Sequence, residues 1–266
     1  MVHRKEAQVP IGNAPPLRRR DNGWECSEGS VNPVLLSLFF RKRVLIVAAM
    51  VSSISTPAER VYSRRERTVD LAIHVAGVIF ALNAALWLLW HITGLSVVIS
   101  VSVYCAGLLA MIIASATYNL WPAHRPAKQW LRRLDHSAIF IMIAATYTPF
   151  AANRLSHPAD AIILAAIWSC ATFGIVLKIA FPRRFELAGI ALYIAMGWMA
   201  VTVLKPLAST VAAVDFWLLI AGGVVYSAGI AFYMIERIPF HKAIWHGFVL
   251  VAAMLHFTAI ALEFAA

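Results

Sequence analysis

The sequence predicts an all-α, polytopic membrane protein of seven transmembrane helices, with the N-terminus inside and the C-terminus outside. Three observations carry that expectation. The composition is 61% hydrophobic and only 14% charged, well beyond the apolar share of ordinary soluble domains. Seven apolar runs each approach the ~20 residues that cross a bilayer core. Clusters of Lys and Arg fall in alternate connections between those runs, which is how a chain is oriented in a membrane. The formal charge of +10 therefore reads as topology. No nucleic-acid partner is expected; membrane lipid is.

Residues 1–58 read as a poorly structured N-terminal extension ahead of a membrane domain at 59–266. The stretches PPLRRR and DNGWECSEGS are irregular, and VLLSLFF and VLIVAAMVSSI, split by RKR, are each too short to span. The charged break and the lack of a small-residue cleavage pattern argue against a secretory signal. Met50 is the expected start, with the preceding residues an extension of the gene model. Detection of a tryptic peptide from residues 21–41 in the native protein would refute this.

The spans follow in order, near Val69 to Trp90, Leu95 to Leu120, His136 to Ala152, Ala159 to Ala180, Leu187 to Leu204, Val214 to Ile235 and Ala243 to Phe264. Arg60, Arg64, Arg65 and Arg67 precede the first span, and Arg125, Lys128, Arg132 and Arg133 follow the second. Lys178, Arg183 and Arg184 follow the fourth; Arg237 and Lys242 follow the sixth. The opposite connections hold only Arg154 and Lys205. The positive-inside rule places the first set in the cytoplasm, with the chain crossing the membrane several times.

That topology brings polar residues of four helices to one cytoplasmic depth: Asp70 and His74, Ser115 and Asn119, Asp135 and His136, Lys242 and His246. Three pairs, Asp70 with His74, Ser115 with Asn119, and Lys242 with His246, have the four-residue spacing that shares a helix face. Ionisable residues within spans are costly and tend to face a bundle interior, which favours a shared polar cavity. Interfacial decoration is the other reading. Helix ends are where polar groups cost least, Asp135 opposes the macrodipole, and Lys242 can snorkel outward.

Other features carry plainer expectations. Cys26, Cys105 and Cys170 are too far apart for a disulfide framework or a CxxC site. His256, about 15 Å deeper than His246 by helical rise, is expected to be a hydrogen-bonded core histidine. The run GGVVYSAGIAFY predicts close helix packing through small residues, and Pro149 is expected to bend or end the third span. Trp121 and Trp130 are expected to flank a cytoplasmic loop.

Several of these stretches together resemble the hemolysin III family, the bacterial branch of the progestin and adipoQ receptor (PAQR) class. They are ERTVDLAIH at 66–74, SATYN at 115–119, LDHSAIF at 134–140 with TYTPF at 146–150, and GGVVYSAGIAFY through PFHKAIWHGFVLVAAMLHF at 222–257. The resemblance implies seven spans, an inside N-terminus, and a zinc held by three histidines beside the aspartate of LDH. One histidine closes SxxYH and two form HxxxH on the last helix. The serine maps to Ser115, the aspartate to Asp135 and one histidine to His246, but the other two histidine positions are Asn119 and Lys242.

An ammonium does not ligate a metal and an amide is a poor zinc ligand, so this donor set disfavours tight zinc. His74, His136 and His241 are substitutes by position, although His136 and His241 are rotated away by helical geometry. A charge substitution is expected instead, with Lys242 paired to Asp135 while Asn119 and Ser115 hydrogen-bond the remainder. The leading expectation is thus a role in membrane or lipid homeostasis through the polar cavity. A zinc-dependent lipid-amide hydrolase is the alternative, in which Asp135 is the general base and Ser115 supports the oxyanion. A membrane-lytic or pore-forming protein comes third.

Overall fold

The computed structural model describes residues 62–154, 158–199, 211–235 and 237–265, with residues 158–160 described by their backbone alone. The expected N-terminal extension and the proposed start at Met50 lie outside the described residues. The described residues form helices and no strands. In chain order the helices are α1 (Arg64–His91), α2 (Leu95–Leu120), α3 (Ala127–Asn153), α4 (Pro158–Ala180), α5 (Glu186–Trp198), α6 (Ala213–Met234) and α7 (His241–Phe264).

Local chemistry sets the helix ends. At the start of α1, Ser63 Oγ accepts from the Glu66 amide at 3.2 Å and Glu66 Oε2 accepts from the Ser63 amide at 2.8 Å, a reciprocal capping box. This begins α1 ahead of the expected Val69. Gly94, at φ 87°, makes the sharp entry to α2 that a residue with a Cβ resists. Beyond α2, Lys128 Nζ donates to the carbonyls of Tyr118 and, at 2.9 Å, Trp121, satisfying acceptors the helix end leaves open.

One expected boundary is corrected. α3 begins at Ala127 rather than near His136, because AKQWLRRL continues in helical register; Trp121, the C-cap of α2, and Trp130, in the first turn of α3, stand on either side of the connection between the two helices. The helix also runs through Pro149 to Asn153, where Asn153 Nδ2 donates to the Pro149 carbonyl at 2.8 Å. Proline near a helix end removes one backbone bond without stopping the last turn. The fifth expected run reached Leu204, whereas α5 is described to Trp198 and residues 200–210 lie outside the description.

Among the described residues, five helical segments are long and apolar enough to cross a membrane: α1, α2, Ala161–Ala180 of α4, α6 and α7. Each helix packs on its chain neighbour from α1 to α7, α7 closes back onto α1, and α3 also touches α5. One buried cluster joins α1, α2, α3 and α7 through Leu88, Tyr104, Met142 and Ile260; a second joins α3, α4 and α5 through Phe140, Ile167 and Met196. Small residues permit the closest approaches. A Cβ on Gly174 would lie 2.4 Å from the Phe140 ring, and one on Gly222 would lie 2.3 Å from His256. His256 itself donates to the Leu219 carbonyl at 3.2 Å, deep between α6 and α7. Large apolar side chains such as Trp90, Leu86, Ile162 and Trp217 point outward, as expected where lipid is the solvent.

Candidate functional site

Helix closure of α7 against α1 brings the early turns of both beside the last turns of α2. Glu66 fixes their relative height. Its second carboxylate oxygen accepts from the Phe240 amide at 2.9 Å, across from α1 to the start of α7, where Phe240 adopts a left-handed conformation at φ 62°. One buried carboxylate therefore caps α1 and holds the turn that launches α7. The sequence reading passed over it, although S-x-x-E at 63–66 is the signature of a capping box.

Above this tie lies a continuous polar network. His246 Nδ1 donates to Asp70 Oδ1 at 2.6 Å, and His74 Nδ1 donates to the Asp70 backbone carbonyl at 2.8 Å. With both Nδ1 atoms carrying the proton, both Nε2 atoms are acceptors, an assignment made from the bonding pattern. Ser115 Oγ faces His74 Nε2 at 3.4 Å. Asn119 Nδ2 donates to the Ser115 carbonyl at 3.0 Å and faces both His246 Nε2 and Ser115 Oγ at 3.4 Å. The two imidazoles meet edge to face with centroids 4.4 Å apart.

Of the eight expected cluster residues, the structure thus joins Asp70, His74, Ser115, Asn119 and His246 directly. Lys242 lies beside them, its Nζ 4.5 Å from the Tyr62 ring centroid and within electrostatic range of Asp70. The expected Lys242–Asp135 pair is not formed. Asp135 instead lies 3.3 Å from Nδ1 of adjacent His136, at ion-pair distance without hydrogen-bond geometry, and reaches the network only as a charge felt by His74. The reason is placement: α7 packs on α1 and α6, while α3 packs on α2, α4 and α5. His241 faces Tyr62, its Nε2 3.4 Å from the phenol oxygen.

A model of proteins described as haemolysin-III related matches residues 62–257. The chain belongs to the haemolysin-III-related family. A hemolysin-3 homolog of Bacillus subtilis strain 168 is 34% identical over 192 residues, covering 71% of this chain and 90% of that protein. Hemolysin-3 of Bacillus cereus is 38% identical over 197 residues, covering 73% and 89% respectively. The human monocyte to macrophage differentiation factor is 29% identical over 163 residues, covering 59% of this chain and 67% of its own length. No solved structure gives a significant match. As a haemolysin-III-related protein with long apolar helices, the chain is a membrane protein.

The three-histidine zinc that the family resemblance implies does not fit these residues. Of its positions, only His246 is a ligand; Asn119 turns an N–H toward His246, and Lys242 brings a positive charge. A different group, Asp70, His74 and His246, offers ligand atoms within 4.8 Å of one another among the described residues. Those atoms already form a closed set of donors and acceptors. An ion there would take the place of the Asn119 and Ser115 contacts and would face the positive charge of Lys242.

Proposed function

We propose that this chain is a seven-span protein of the bacterial inner membrane, N-terminus inside, that acts in membrane or lipid homeostasis through the Asp70–His246 network without a zinc-hydrolase mechanism. The observation that carries the reading is the convergence of Asp70, His74, Ser115, Asn119 and His246 at one end of the bundle. That end also bears the basic residues Arg64, Arg65, Arg67, Arg125, Lys128, Arg183 and Arg184, which supports a cytoplasmic placement. Charged and polar groups held at such a depth are costly, and their mutual satisfaction supports a site facing lipid headgroups over decoration of helix ends.

The test is a deletion strain assayed for lipid composition and for membrane packing with an order-sensitive fluorescent probe. A shift in both, restored by the natural gene but not by Asp70→Asn, is the expected result. Unchanged lipids and unchanged packing in the deletion strain would sink the proposal.

A further inference from the structure

The Ser115 hydroxyl differs from its neighbours in how it is used. Thr117, Thr146, Thr148, Ser169 and Ser227 each donate to the carbonyl one helical turn back, the ordinary fate of a hydroxyl in an apolar helix. Ser115 instead points at His74 Nε2, 3.4 Å away. His74 is buried, and the Asp70 carbonyl on its Nδ1 leaves Nε2 free to accept a proton. His91 makes the same backbone bond at 2.7 Å, but no serine faces its ring among the described contacts. The Asn119 amide lies 3.4 Å from Ser115 Oγ, anchored by its bond to the Ser115 carbonyl.

We infer that Ser115 is a nucleophile activated by His74, with Asn119 as oxyanion donor, acting without a metal on the acyl ester of a membrane lipid. A nucleophile, a base oriented by a third group, and a donor beside the nucleophile are the elements of acyl transfer, and the hydroxyl–imidazole distance is often long before substrate binds. The substrate class rests on the lipid reading above and on depth. Ser115 stands five residues before the end of α2, about 7 Å along the helix, just beneath the level of Lys128 and Arg125. Ester carbonyls of a phospholipid lie at that depth when its phosphate meets those basic groups.

The chemistry balances with water as the only co-reactant. Ser115 Oγ bonds to the acyl carbon as its proton passes to His74 Nε2. The ester carbon–oxygen bond then breaks, and the same proton leaves with the alcohol. Water repeats the exchange, giving a fatty acid and restoring the hydroxyl. Asp70 and His246 are positioning residues, holding the imidazole of His74 and the Asn119 amide in place.

The experiment uses the full chain purified in detergent micelles, a long-chain alkyl fluorophosphonate as probe, and peptide mapping by mass spectrometry. A covalent adduct on Ser115 is expected, insensitive to EDTA, absent in Ser115→Ala, and formed about 100-fold more slowly in His74→Gln. Because His74→Gln removes a buried hydrogen bond, the natural protein supplies a second readout: labelling should slow as the pH is lowered and the imidazole takes up a proton. No Ser115 adduct, where a serine esterase in the same micelles is labelled, overturns the inference, as does labelling abolished by EDTA or independent of pH. A Ser115 adduct with unchanged lipids and unchanged packing in the deletion strain removes the homeostasis proposal alone; altered lipids without the adduct remove the nucleophile alone.

Discussion

Asp70 on α1 and His246 on α7 are separated by 176 positions and share a 2.6 Å hydrogen bond. Their side chains are only 17% and 11% exposed, so each depends on the other for a partner that water supplies poorly. Breaking such a pair leaves one polar group stranded, which costs more than the pair itself contributes. Asp70→Asn and His246→Gln are each expected to cost about 2 kcal/mol, and the double variant about 1–2 kcal/mol less than their sum. Unfolding of the purified protein by denaturing detergent, run as a double-mutant cycle, measures the coupling.

Lys242 tests which carboxylate holds the ammonium. The charge substitution expected from the family resemblance pointed to Asp135, whereas the structure sets Lys242 over Tyr62 and in electrostatic range of Asp70. Lys242→Met is therefore expected to be non-additive with Asp70→Asn, by about 0.5–1 kcal/mol, and additive with Asp135→Asn. Coupling to Asp135 in the same unfolding assay would restore the earlier expectation.

Glu66 carries more structural weight than its place at a helix start implies. Its carboxylate closes the capping box of α1 and accepts the Phe240 amide of the turn before α7. Glu66→Ala removes both acceptors and is expected to cost about 2–3 kcal/mol, against about 1 kcal/mol for Ser63→Ala, which loses only the cap. Thermal unfolding of the two variants, read side by side, separates a local cap from a tie between helices.

Much of this architecture was legible in apolar run lengths and basic clusters, because lipid demands long helices whatever their partners. The ends of α2 at Leu95 and Leu120 were read directly, since both flanks break the apolar pattern. α3 was read too short: its first turns, AKQWLRRL, are polar, and hydropathy reports lipid exposure rather than helix. Four-residue spacing placed Asp70 with His74 and Ser115 with Asn119, because helical periodicity is local. It did not reveal that Asp70 would meet His246 while Asp135 stayed beside His136, because that depends on which helices become neighbours. Glu66 was overlooked for the same reason, its second bond reaching a distant turn.

Glu186 gives the clearest dependence on pH. It begins α5, outside the expected span, and binds Arg132 at 2.6 Å and Lys178 at 3.0 Å. Burial alone would raise its carboxyl, but the charge and hydrogen bond of Arg132, helped by Lys178, outweigh burial and pull it down to about 2. The folded value lies below the unfolded one, so the stabilisation is present above about pH 4.5 and is lost as pH falls toward about 2. Its side chain is 33% exposed, which screens the effect. The melting temperature of the natural protein is expected to fall between those limits more steeply than that of Glu186→Gln, as differential scanning fluorimetry would record.

Restoring the missing histidines asks what the scaffold has kept. Asn119 already directs its side chain at His246 Nε2 from 3.4 Å, so a histidine there would start near a ligand nitrogen that Asp70 orients through Nδ1. That carboxylate–histidine relay is the support a metal-bound imidazole requires. Lys242 lies one turn before His246 on the same helix, so a histidine replacing it shares the face and also removes the opposing charge. The Asn119→His, Lys242→His double variant is expected to bind about one zinc per chain by elemental mass spectrometry, and to lose it again with His246→Ala. The natural protein is expected to carry far less than one. Near-stoichiometric zinc in the natural protein, lost with His246→Ala, would mean that Asp70 and His74 have taken over the ligand positions, and that the closed hydrogen-bond network is the metal-free state of a metal site.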